Sequence, residues 1–132
     1  MSLASLYAQL DAVRRQVSAN NNKISRLKTA KRLLQQSKSQ LNTHRRQLAA
    51  KANNSDTYQG WKGQTQSNSR DFLSNTVIGE YRTFITSVDN RLDAVCDEIT
   101  RLENENHRLG GHIGYLTASI NSLLNELETA TN

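Results

Sequence analysis

The chain is predicted to be all-α: a long antiparallel two-helix hairpin of coiled-coil type with a W-x-G bend, completed into a helical bundle by a partner or a second copy. Three observations predict it. The 132 residues contain no proline, and an interior proline costs a helix about 3 kcal/mol. Apolar residues recur at alternating steps of three and four on both sides of a polar centre, the period of an amphipathic helix. The two sides also carry opposite charge. Residues 1–66 hold twelve Lys/Arg and two Asp/Glu, residues 67–132 hold five and ten, and the whole chain is +5.

The first helix is expected over about residues 2–52. Its apolar positions run Leu6, Leu10, Val13, Val17, Ile24, Leu27, Leu34, Leu41 and Leu48. Filling the gaps in the rhythm gives Asn20, Lys31, Lys38 and Arg45. The seam is therefore apolar in its first half and narrowed by basic residues in its second.

The bend is expected over about residues 53–63. The stretch KANNSDTYQGWKGQTQSNS is rich in Asn, Ser and Gly, the residues of turns. It also holds Trp61, the single tryptophan. An indole folded over the open end of the seam would bury apolar area worth roughly 2 to 3 kcal/mol. Gly63 would let the backbone turn tightly into the next helix.

The second helix, about 64–130, is the more regular. Ile78, Tyr81, Ile85, Val88, Leu92, Val95, Ile99, Leu102, Asn106, Leu109, Ile113, Leu116, Ile120, Leu123 and Leu127 keep the rhythm without a skip, and among them only Asn106 is polar. Phe72 falls on a different phase. Helices of 50 to 60 residues are on the order of 75 to 90 Å long, and with one wet apolar stripe each they are expected to fold back on one another as a single domain, 1–132. In an antiparallel hairpin turning near residue 63, Asn20 and Asn106 stand at about the same height. A buried Asn pair costs stability and fixes register; two solvated, independent amides are the alternative.

Trp61-Lys62-Gly63 between two amphipathic helices resembles the WXG signature of the ESAT-6-like proteins handled by type VII secretion in Gram-positive bacteria and actinobacteria, although both arms here are longer. The pattern over nearly the whole chain is more similar to the YwqH-like small helical proteins that accompany LXG toxins. That resemblance implies a targeting factor or chaperone that binds the helical N-terminal region of an LXG toxin, with another small helical protein as a further potential partner. It also implies a cytoplasmic location or export through type VII secretion without a cleaved signal peptide. The secretion signal associated with such hairpins, Tyr-x-x-x-Asp/Glu after the second helix, has no match here: Tyr115 is followed four residues later by Ser119. Tyr7 and Asp11 have the spacing but sit at the other end. The alternative is a homodimeric coiled-coil structural or secreted WXG-like protein with no toxin partner.

The partner-binding seam is assigned to Tyr81, Ile85, Val88, Leu92, Val95, Ile99 and Leu102, opposite the part of the first helix whose own seam turns basic. Gly110, Gly111 and Gly114 interrupt the second helix at about 1 kcal/mol each and are assigned to close packing of another helix, with a hinge or glycines simply tolerated in an overlong coiled coil as the alternatives.

Other classes find little support. The N-terminal residues MSLASLYAQLDAVRRQ have no basic stretch leading into an apolar block, so no secretory signal is expected. No run of about 18 apolar residues exists to span a membrane. Cys96, the single cysteine, has no His or Asp arranged around it in sequence and reads as a packed thiol. His44, His107 and His112 lack metal-ligand spacing. The basic first arm has no interleaved aromatics and has an acidic partner arm, which argues against nucleic acid. No nucleotide loop, carboxylate pair or triad emerges, so no enzyme and no cofactor are expected.

Overall fold

The structure, a computed structural model, describes residues 2–54 and 64–131, with side-chain surroundings over 2–51 and 68–131. Among the described residues it is all-α, and two long helices dominate. Helix α1 runs Leu3–Asn54, 52 residues. A short α2 over Gln64–Asp71 leads through a π-helical segment, Phe72–Val77, into α3, Ile78–Thr131, 54 residues. The bend residues Trp61 and Gly63 lie outside the described residues.

Helix α1 begins where its sequence supplies a cap. The Ser5 N–H donates to Ser2 Oγ at 3.1 Å, and the Leu6 N–H to the Ser2 carbonyl at 3.1 Å. The second is the first regular i→i−4 bond of the helix, and the first gives one of the four N–H groups that a helix start leaves without partners an acceptor.

The π segment has a reason in the apolar pattern. Stepping back from Ile78 by four and then three residues lands on Ser74 and Asp71, both polar and exposed. A π turn bonds five residues apart, and the Ile78 N–H donates to the Leu73 carbonyl. The wider turn brings Leu73 inward to half-buried and leaves Phe72 59% exposed. This accounts for the phase of Phe72.

The chain divides into two compact units, Met1–Thr29 with Asp97–Asn132, and Ala30–Cys96. In the first unit Leu6 and Leu10 pack with Leu116 and Ile120, flanked by Leu3, Val13, Ile113 and Leu123. Low numbers on α1 meet high numbers on α3, so the two helices run antiparallel. Ile24, Ile99, Leu102 and Leu109 are buried as well. Each fully buried aliphatic side chain contributes roughly 1.5 to 3 kcal/mol.

The second unit is also antiparallel: Lys38 Nζ meets Asp89 Oδ1 at 2.6 Å, and the His44 ring meets Tyr81 edge-on at 6.4 Å. Its packing is looser. Ile78 is the one fully buried apolar side chain among its described residues. Leu34, Leu41 and Leu48 on α1 and Ile85, Val88, Leu92 and Val95 on α3 are half-buried. The cause is in the α1 seam, where Lys31, Lys38 and Arg45 stand at core-facing positions and are themselves half-buried. Such side chains cover apolar surface with their stems while holding the charge in water, and so prevent a dry core.

Candidate partner-binding face

The seam residues assigned from sequence divide by their surroundings. Ile99 is 7% and Leu102 1% exposed; both are enclosed in the first unit. Tyr81, Ile85, Val88, Leu92 and Val95 belong to the second unit and keep part of their surface in water. In that same unit Leu33 is 52%, Phe72 59% and Phe84 64% exposed. Helical spacing places Phe84 next to Tyr81 and Val88 on the α3 surface. Phe84 was not singled out by the sequence rhythm, because it lies one residue off the seam.

Basic residues border this apolar surface. An open groove beside Leu92 is lined by Lys38 and Arg46 together with Gln35, Ser39 and Asn42. Lys38 is held by Asp89, which stands one residue beyond Val88. A second open groove brings Lys51, His44 and Leu48 beside Tyr81. A face of this kind offers apolar contact along its middle and cationic donors at its rim, the usual anatomy of a protein interface.

Asn20 and Asn106 meet. Asn20 is 1% exposed; its Nδ2 donates to Asn106 Oδ1 at 3.0 Å, while its Oδ1 accepts from Gln16 Nε2 at 2.9 Å. Asn106 Nδ2 in turn donates to Asn21 Oδ1 at 2.9 Å. The buried amide is thereby satisfied on both its donor and acceptor sides, which offsets the cost of its desolvation. Gln16 and Asn21 were not anticipated from sequence, since amides on exposed helix flanks carry no rhythm of their own.

On the solvent side of α3, Arg101 bonds Glu98 through two nitrogens at 2.6 and 2.9 Å and reaches Glu105 at 3.3 Å. The Arg101 hydrogen bonds hold the Glu98 carboxyl below its usual range, against a smaller opposing effect of desolvation, and the Glu98 partner raises Arg101. These are solvent-exposed i,i+3 and i,i+4 pairs, so they support the helix rather than form a site.

Gly110, Gly111 and Gly114 are exposed, and a Cβ added at any of them would meet nothing within 4 Å. Among the described residues no neighbouring element stands within 4 Å of that position. Cys96 is a half-buried free thiol. His112 stacks on Tyr115 with ring centroids 6.3 Å apart. Among the described residues no group of His, Cys, Asp and Glu is placed to hold a metal, and no helix is long and apolar enough to cross a membrane.

The fold and the face define a class: a small protein of two long helices, packed tightly in one unit and left half-open in the other. Within that class the chain belongs to the YwqH-like family, whose model matches residues 2–125. No curated protein and no solved structure matches it.

Proposed function

We propose that this chain is a type VII secretion-associated targeting factor or chaperone that binds the helical N-terminal region of an LXG-type toxin, and that it has no catalytic role. The half-open face of the second unit carries the proposal. Tyr81, Ile85, Val88, Leu92 and Val95 are ordered at seam spacing yet half-buried, with Leu33 and Phe84 exposed in the same unit. Membership in the YwqH-like family is consistent with this role. The mechanism is side-by-side helix packing. A partner helix completes the seam, and the surface it covers supplies the driving force at about 25 cal/mol per Å2 of apolar area, less the cost of immobilising the two chains.

Gly110, Gly111 and Gly114 fit the same mechanism as a place where a second chain's helix approaches, since a Cβ added at any of them would have open space around it among the described residues. Trp61 and Gly63 are proposed to close the bend. Export of this chain itself, or retention in the cytoplasm, follows whichever partner carries the address.

The test is capture of the partner by tagged protein in lysates of the cells that make it, with identification by mass spectrometry. Recovery of a larger chain with an LXG-type helical N-terminal region, lost when Val88→Asp and Val95→Asp are combined, is the expected outcome. Recovery of the bait alone as a discrete dimer would refute the proposal in favour of a self-assembling coiled coil.

A further inference from the structure

The net charge of the chain is confined to one unit. Residues 1–29 with 97–132 hold seven Lys/Arg and seven Asp/Glu, whereas residues 30–96 hold ten and five. The whole +5 therefore belongs to the unit whose apolar face is half-open. Within it, the α1 stretch from Ala30 carries Lys31, Arg32, Lys38, Arg45, Arg46 and Lys51 and no acidic residue through Asn54. Of these six, Lys38 alone has a carboxylate partner among the described residues. Lys31, Arg32, Arg45, Arg46 and Lys51 have none there.

We infer that the second unit is the docking platform and that its occupant is an amphipathic helix of another chain whose apolar stripe is flanked by Asp and Glu. This deepens the partner-capture reading and rests on it. The apolar part of the platform needs a helix stripe, and the basic α1 stretch, where Lys31, Arg32, Arg45, Arg46 and Lys51 have no carboxylate partner among the described residues, favours carboxylates on the occupant. Long-range attraction between such flanks steers association and selects against wrong partners. A second copy docked unit to unit would bring together two units of net charge +5 each and is disfavoured by their mutual repulsion.

The experiment uses the full chain and two synthetic helical peptides with one shared Leu/Ile stripe, one flanked by Glu and one by Lys. Binding is followed by calorimetry, and helicity by circular dichroism. The Glu-flanked peptide is expected to bind, and the Lys-flanked peptide to bind at least tenfold more weakly. Combining Lys31→Gln, Arg32→Gln, Arg45→Gln and Arg46→Gln should weaken the Glu-flanked peptide roughly tenfold, the sum of four modest rim pairs, and flatten its salt dependence. The matched set in the other unit, Arg14→Gln, Arg15→Gln, Arg26→Gln and Lys28→Gln, should leave binding unchanged.

Several outcomes overturn the inference: no binding of the Glu-flanked peptide, equal binding of both peptides, or equal loss with the two variant sets. Tighter binding of single-stranded DNA or phosphatidylglycerol vesicles than of the Glu-flanked peptide would do so as well. None of these would touch toxin capture, which stands or falls on the Val88/Val95 variant.

Discussion

At the scale of single residues, the Asn20–Asn106 contact is the clearest case of a polar interruption with a partner. Asn20 is buried at 1% exposure and bonded at both ends of its amide. Replacing it with Ala removes the donor to Asn106 and leaves a small cavity, so the midpoint of urea unfolding should fall by the equivalent of about 1 to 3 kcal/mol. Replacing both Asn20 and Asn106 with Leu should instead raise the midpoint, because a satisfied polar pair in a seam is less stabilising than packed leucines. The same double variant should broaden the pairing register, read as a spread of inter-helix distances by spin-label spectroscopy. Both asparagines were legible in sequence because each breaks an otherwise apolar column. Gln16 and Asn21 were not, since their roles exist only once the two helices are side by side.

At the scale of elements, the second long helix was legible because a three-four rhythm sustained for fifty residues has no other reading, and the first because the same rhythm runs through it with polar residues at Asn20, Lys31, Lys38 and Arg45. The rhythm also showed where the α1 seam turns basic, and the structure shows the consequence as a half-buried second unit. Cavity cost should follow that difference. Leu102→Ala, at a position 1% exposed, should cost about 2 to 5 kcal/mol of stability. Leu92→Ala, at a half-buried position, should cost visibly less in the same denaturation series.

The π segment was not legible as such. Its trace in the sequence was only that Phe72 and Leu73 miss the phase set by Ile78, and a short run of off-phase apolar residues has several explanations. The glycines of α3 make a further element-scale prediction. With open space around each, combining Gly110→Ala, Gly111→Ala and Gly114→Ala should raise helix stability by about 1 kcal/mol per site, seen as a higher thermal midpoint of the isolated chain. If those glycines admit a partner's helix, as proposed, the same variant should bind that partner more weakly while being the more stable protein.

At the scale of the whole molecule, the sequence made the all-α class and the YwqH-like likeness readable, and the family match over residues 2–125 agrees with the latter. It showed opposite charge on the two halves of the chain, but not that the positive excess belongs to one compact unit, because that depends on which residues fold together. The central claim is that the half-open seam of the second unit is completed by a helix from another protein. Its most direct test is light scattering on purified protein mixed with an LXG-type N-terminal region made in the same cells, with the Val88→Asp, Val95→Asp variant run beside it. The account predicts a discrete complex of the two chains that the variant fails to form while its circular dichroism stays helical. A chain that elutes as a homodimer, ignores the toxin region and is unchanged by the two aspartates would contradict it.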